Sequence, residues 1–196
     1  TTRHEDQRLG LHVTEEELRL AGTGSATDSP AIVALGAQEV EFFANLSGAT
    51  TMLTQVAAMG QQELSVEAGA GWAKGKQVLL CTAVRCSWNR LAADGRQQAL
   101  SLAAPIAEQL PMRSAIFLLN RVRYYLKRQD DGTVRVMREV DGGASTLLAD
   151  VDSFQLHYLN REGRVTSDTR EIVRVRVTVE MTQKGSKLMR DIAIRT

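Results

Sequence analysis

Alternation of apolar and polar residues dominates the second half of the chain and predicts an antiparallel sheet. In residues 122–126 every second residue is apolar, and the pattern returns in residues 134–136 and 154–158. An Asp-Asp-Gly turn separates the first two segments, and a loop of small residues precedes the third. Period-two alternation between glycine turns is typical of strands that bury one face and expose the other. We expect residues 122–158 to be a scaffold without a reaction centre.

The beginning of the chain has a different period and predicts a helix over residues 1–21. Leu9, Val13 and Leu20 fall on one side when positions are spaced about 100° apart. Leu11 and Leu18 fall on roughly the opposite side. A helix with two apolar sides packs one on its own sheet and offers the other to a neighbour, so we expect Leu11 and Leu18 to contact a partner. An amphipathic helix with two incidental leucines is the alternative.

Short strand patterns fill the rest of the chain, and the clearest is residues 172–180, where valines alternate with Arg174, Arg176 and Thr178. One helix followed by about ten strands predicts the α+β class, with an N-terminal amphipathic helix packed on a body of antiparallel β-sheets. We expect residues 1–22 to be the helix and residues 23–196 to be a β-rich body, together forming a single domain.

Composition narrows the function classes. The chain has 196 residues, 43% of them hydrophobic and 24% charged, with a formal net charge of +1. These values are ordinary for a globular domain and give no general attraction to nucleic acid or anionic membranes. The three histidines are scattered, no GxSxG motif is present, and the glycines of residues 69–71 lack dinucleotide-site spacing. We expect no enzymatic activity, cofactor or metal, although several aspartates near glycine turns leave calcium as an alternative.

Two further groups of residues invite a functional interpretation. Cys81 and Cys86 either form a disulfide, if the intervening loop doubles back, or remain two reduced thiols. Five arginines would form a basic face if the sheet places them on one side, and such a face binds DNA phosphates or an acidic partner. Because net charge is near zero and few aromatics accompany them, a solvated sheet face is the favoured interpretation over DNA binding. These arginines are Arg121, Arg123, Arg135, Arg174 and Arg176.

Segments in a fixed order resemble the bacterial minor pilins and pseudopilins, especially the PilW-like type IV pilus proteins and the J-type pseudopilins of type II secretion. The resemblance covers residues 17–194, although Lys76 stands where the family commonly has an acidic residue. The matching segments are Glu17-Leu18-Arg19-Leu20-Ala21-Gly22, residues 64–80 with Gly71-Trp72, residues 121–126 (Arg-Val-Arg-Tyr-Tyr-Leu), Val136-Met137-Arg138, residues 148–158 and residues 171–177.

The resemblance implies a non-enzymatic subunit that helps to assemble or prime a type IV pilus or a type II secretion pseudopilus. Its partners would be other minor subunits and the major pilin. An N-terminal hydrophobic helix, which these residues do not include, would anchor it in the inner membrane. The β-body would then be periplasmic or extracytoplasmic, a location that favours the Cys81–Cys86 disulfide. A surface-exposed module for DNA uptake or adhesion, using the arginines, is the alternative.

Overall fold

The computed structural model describes residues 2–21, 32–182 and 187–194, with side chains from residue 8 onward. Within these residues lie one helix, α1 (Thr2–Leu20), and thirteen strands. The strands are β1 (Ile32–Leu35), β2 (Glu39–Ala44), β3 (Thr50–Met52), β4 (Glu63–Ser65), β5 (Gln77–Cys81), β6 (Cys86–Arg90), β7 (Ala99–Ser101), β8 (Ala115–Arg128), β9 (Val134–Val140), β10 (Gly143–Leu148), β11 (Val151–Leu159), β12 (Arg174–Met181) and β13 (Lys187–Ala193).

The predicted α+β, pilin-like class is wrong, because the described chain is mostly β, with one short helix and three sheets. Thirteen strands are spread through the described residues after residue 31, and a single 19-residue helix does not balance them. The predicted boundary between residues 22 and 23 lies outside the described residues. No helix among those described is long and apolar enough to span a membrane.

The described residues divide into two compact units, and unit 1 comprises residues 2–21, 32–44, 121–182 and 187–194. Its first group of strands runs in the order β1-β2-β8-β9-β10. The alternation in the sequence matches the burial here, since Val122, Tyr124 and Val136 are buried while their sequence neighbours are more exposed. Asp131 closes the β8–β9 turn by accepting hydrogen bonds from the backbone N–H and hydroxyl of Thr133, at 2.9 and 2.6 Å.

A second sheet in unit 1 has the strand order β11-β12-β13, all antiparallel. Alternating residues of β11 and β12 form its buried face, as expected from the period-two pattern of valines in β12. These residues are Phe154, Leu156, Tyr158, Val175, Val177 and Val179. The hydroxyl of Tyr158 donates toward the backbone carbonyl oxygens of Gly36 and Glu39, both at 2.9 Å, which ties this sheet to the β1–β2 turn.

Among the described residues, unit 2 comprises residues 45–120. Strand β5 lies between β6 and the first part of β8, and β3 also pairs with β8. Strands β4 and β7 form a separate pair. One apolar cluster lies at the centre of the unit and includes Leu53, Leu64, Val66, Trp72, Leu80, Leu91, Leu100, Leu102, Ile106 and Leu110.

Two glycines in unit 2 allow a close approach of two backbone segments. A Cβ atom on Gly95 would lie 2.0 Å from the carbonyl oxygen of Gly69, so any side chain there would force the segments apart. The Gly95 N–H donates to the carbonyl oxygen of Trp72 at 2.7 Å. The glycine-rich stretch around residue 69 therefore has a packing role.

Candidate functional site

The most distinctive polar site in unit 1 joins α1 to the β8–β9 pair. The carboxylate of Glu17 accepts hydrogen bonds from Arg138 Nε at 3.0 and 2.9 Å, from Arg138 Nη2, and from the hydroxyl of Tyr124. Glu17 and Tyr124 are buried, and Arg138 is partly buried. We call these three residues the helix clamp.

The sheet places the two donors of the helix clamp side by side. Tyr124 on β8 and Arg138 on β9 are directly opposite each other in the antiparallel register, so their side chains project from the same face. The ring of Tyr124 also stacks on Phe42, with a centroid separation of 6.0 Å. Because both donors lie on paired strands, they hold Glu17 at one place on the sheet. This fixes the rotation of the helix and its position along its own axis.

The clamp fixes the protonation states of its donors. The hydrogen bond from Arg138 to Glu17 and the nearby negative charge raise the pKa of the guanidinium, although burial opposes this. Burial raises the pKa of Tyr124 well above its usual range, and the neighbouring Glu17 raises it further. Arg138 is therefore charged and Tyr124 keeps its proton at neutral pH, so both donate to the carboxylate.

Helix α1 lies very close to β10. A Cβ atom on Gly10 would lie 2.6 Å from Leu148 Cδ2 and 3.0 Å from the carbonyl oxygen of Leu147. The hydroxyl of Thr14 is buried and donates to the carbonyl oxygen of Gly10 at 3.0 Å, so it needs no other partner. The lack of a side chain at Gly10 therefore permits this approach.

The structure places Leu11 and Leu18 on the side opposite to the prediction. They are only 5% and 0% exposed, so they pack within the chain and are not available to a partner. Leu9, grouped with the core-facing side in the prediction, is 61% exposed. The prediction placed the wrong side of the helix against the rest of the chain, because it considered apolar residues alone. Glu17 lies on the buried side, where hydrogen bonds from Arg138 and Tyr124 stabilise its charge.

Cys81 and Cys86 form a disulfide. They are directly paired at the end of the β5–β6 hairpin, with a Cα–Cα distance of 4.0 Å. Four residues, Thr82 to Arg85, make the closed tip. The disulfide therefore fixes the shape of a short hairpin rather than joining distant parts of the chain.

The five arginines do not form a free basic face. Arg121 pairs with Glu41 at 2.7 Å, Arg123 pairs with Glu39 at 2.7 Å, and Arg176 pairs with Asp191 at 2.7 Å. Their side-chain hydrogen bonds to these carboxylates raise the pKa of all three guanidinium groups. The guanidinium of Arg123 also lies 4.6 Å from the ring centroid of Tyr125.

The other two arginines lie on different sheets. Arg135 is on β9, opposite Lys127 on β8, whereas Arg174 is on β12, opposite Leu159 on β11. The set is therefore divided between two sheets, and most of its members are neutralised by neighbouring carboxylates.

A cleft of about 720 Å³ lies between the β8–β9 turn and the turn that precedes β11. Arg128, Asp131, Asp150 and Asp152 line it. No group of three or more His, Cys, Asp or Glu residues in the described part of the chain is arranged to hold a metal ion. Hydrogen bonds from Thr133 lower the pKa of Asp131. The aspartate at position 150 adopts a positive φ of 55°, consistent with a turn role.

Comparison with known proteins gives no family for the chain. Neither a protein-family model nor a curated protein matches it.

The helix clamp was not predicted from the sequence as a unit. Its other two members lie 107 and 121 residues from Glu17, and only the strand register brings Tyr124 and Arg138 together. The available signal was Glu17 itself, a glutamate that directly precedes Leu18 and lies near the apolar side of the helix. Such a residue requires a buried cationic or hydroxyl partner.

Proposed function

We propose that this chain is a non-enzymatic subunit that takes part in assembling an extracytoplasmic bacterial filament, in the manner of minor pilins and pseudopilins. Support comes from the sequence segments that resemble that family. Glu17, Tyr124 and Arg138 each lie in one of those segments, so the resemblance and the helix clamp involve the same residues. The proposal concerns the role of the chain and does not depend on the α+β class.

The helix clamp is the observation that carries the proposal. A single helix attached to a β-rich chain by small apolar contacts alone would rotate or detach at low cost. A largely buried ion pair with a further hydrogen bond from Tyr124 resists separation, because each partner would be left unpaired in a poor solvent. A subunit that enters a filament through its helix needs this kind of fixed attachment to carry its β-body along.

The disulfide supports an extracytoplasmic location. Disulfides form and persist in oxidising compartments, including the bacterial periplasm and the cell surface. Both cysteines of the chain are used in this bond. A filament subunit of this kind meets its partners, other minor subunits and the major subunit, in that compartment.

Gene deletion tests the proposal. In the bacterium that carries the gene, we expect deletion to reduce surface filaments or type II secretion, and re-expression of the intact gene to restore them. Filaments are counted by electron microscopy and secreted protein is measured in the culture medium. Unchanged filament number together with unchanged secretion would contradict the proposed function.

A further inference from the structure

Strand β13 lies at an open edge of the second sheet in unit 1. It pairs with β12 on one side, and none of the described residues forms a strand on its other side. Five of its seven residues are exposed, although β12 beside it is mostly buried. An edge strand has backbone N–H and C=O groups on its free side that can pair with another strand.

The geometry of β13 suits such pairing better than that of the other edge strands. Its register with β12 runs without a shift from Lys187 to Ala193. Strands β1, β6 and β10 are shorter, and β1 and β10 each contain a bulge. The free side of β11 is partly occupied, since the N–H of Leu156 donates to the carbonyl oxygen of Ala37 at 2.8 Å. Short length, bulges and covering segments hinder the addition of a strand, and β13 has a regular, exposed edge.

The charged residues of β13 pair with opposite charges on β12. Lys187 is directly opposite Glu180, and its Nζ lies 3.4 Å from Oε1 of that glutamate. Asp191 is directly opposite Arg176, with 2.7 Å between Oδ1 and Nε. Met189 lies between these two pairs and is 53% exposed. Because residues two apart in a strand project from the same face, Lys187, Met189 and Asp191 form one line along the edge.

This line is complementary to itself when a second copy runs antiparallel to it. In a two-fold pairing centred on Met189, Lys187 of each copy lies opposite Asp191 of the other, and the two Met189 side chains face each other. The row across both copies then runs from Glu180 and Lys187 of one copy to Asp191 and Arg176 of the other. Its charges alternate in sign, and the two-fold axis supplies the row twice. Opposite charges directly across a strand pair are favourable.

Charge also selects this register over its neighbours. A shift of the pairing by one residue would put the side chains of the second copy on the opposite face. Centring on Arg190 or on Asp191 would place two like charges directly opposite each other, which is unfavourable. Centring nearer either end of the strand would pair only a few residues. The register centred on Met189 therefore combines attractive charge pairs with an apolar centre.

We propose that two copies of this chain pair antiparallel through the free edges of β13, centred on Met189, and join their three-stranded sheets into one. The occupant of the edge is a second copy rather than a different protein, because one strand supplies both halves of the charge pattern. The pairing goes beyond the proposed function and does not depend on it.

Sedimentation velocity of the purified protein tests the charge pattern. We expect a dimer whose fraction rises with protein concentration and falls with added salt, since exposed ion pairs are screened. Lys187→Asp and Asp191→Lys should each lower the association constant by about tenfold, because each places two like-charged pairs across the axis. Arg161→Asp makes the same change of charge as Lys187→Asp in an exposed turn, so it is the control and should leave the dimer unchanged.

Mixing the two variants separates a lost contact from a damaged fold. A mixed dimer of Lys187→Asp with Asp191→Lys has two acidic positions on one strand and two basic positions on the other, so both charge pairs across the axis are attractive again. We expect the mixture to form dimers while each variant alone remains largely monomeric. A monomer at all concentrations, a dimer that neither variant weakens, or variants that do not associate on mixing would overturn the inference.

Single cysteines test the register. Both native cysteines are joined in the Cys81–Cys86 disulfide, so an introduced thiol is the only free one. Directly opposite residues of an antiparallel pair lie at Cα distances that a disulfide spans. With diamide as oxidant, we expect Met189→Cys to give a disulfide-linked dimer and Arg190→Cys, which faces Leu188 of the second copy, to give none. Linkage through Arg190→Cys alone, no linkage through either, or linkage of Met189→Cys to a different protein in cells would overturn the inference.

Discussion

Arg138 donates from Nε to both carboxylate oxygens of Glu17, at 3.0 and 2.9 Å, across 121 residues of sequence. This contact attaches α1 to the β8–β9 pair. Since Glu17 is buried, water does not replace Arg138 as its partner without a change in the structure.

Glu17→Ala should destabilise the chain by about 3 kcal/mol, because it leaves the Arg138 guanidinium and the Tyr124 hydroxyl without their acceptor. Urea unfolding followed by circular dichroism measures the change. Glu16→Ala is the control, since Glu16 is exposed and pairs on the surface with Arg19 at 3.2 Å. Its expected effect is below about 1 kcal/mol. Equal effects of the two substitutions would show that the helix clamp contributes no more than a surface ion pair.

A double substitution separates the pair from its surroundings. Glu17→Leu combined with Arg138→Leu removes both charges, so we expect it to recover much of the stability lost in Glu17→Ala. A loss of stability in the double variant equal to the sum of the losses in Glu17→Leu and Arg138→Leu alone would mean that the two charges do not interact.

Alkaline pH should unfold the chain together with ionisation of two tyrosines. Burial is the main cause that raises the pKa of Tyr124 and of Tyr158 above the ordinary range. The folded state therefore favours the neutral phenols. That contribution to the free energy of unfolding is complete below the unfolded pKa of about 10 and is lost as pH rises toward the folded values.

The measurement is a titration of tyrosinate absorbance alongside circular dichroism. The absorbance change that is missing in Tyr124→Phe or in Tyr158→Phe reports the ionisation of that tyrosine. We expect this change to occur at the pH at which the circular dichroism of the native state disappears. Ionisation of both groups with native circular dichroism intact would contradict the burial that the structure gives them.

Replacement of Cys81 and Cys86 by alanine should lower the free energy of unfolding by about 2 kcal/mol, the value expected for a short closed loop. Because the bond closes only the β5–β6 tip, the remaining strands should still form. Mass spectrometry after alkylation supplies the direct test, and we expect no labelled cysteine before reduction. Labelling of both cysteines in the unreduced protein would contradict the bond.

DNA binding should be weak, because Arg121, Arg123 and Arg176 already pair with carboxylates of the chain. Fluorescence anisotropy with a labelled duplex at about 50 and about 200 mM salt is the measurement. Tight binding that falls steeply with salt and is lost in Arg123→Glu with Arg135→Glu would instead support the DNA-uptake alternative.

Local periodicity predicted strand positions well. The alternation in residues 122–126 and 172–180 corresponds to β8 and β12, whose valines and Tyr124 point into the core. It did not predict β10, since residues 143–146 are small and show no alternation of apolar and polar positions. That strand forms because Asp141 and Gly142, both with positive φ, turn the chain so that it pairs with β9.

Local sequence patterns could not predict contacts between segments that are far apart in the sequence. The rotation of α1 depends on Arg138, which the sequence separates from Glu17 by the whole of unit 2. The same limit applies to the arginines, because their partners Glu41, Glu39 and Asp191 lie on neighbouring strands. The class prediction failed for a simpler reason, since one helix was given the same weight as the many strands that follow it.

We propose that the helix clamp lets the helix carry the β-body into a filament. The most direct measurement is filament number in the deletion strain that re-expresses the intact gene with Glu17→Ala, compared with Glu16→Ala, at matched protein levels. We expect few or no filaments with Glu17→Ala and normal filaments with Glu16→Ala. Normal filaments with both substitutions would contradict it.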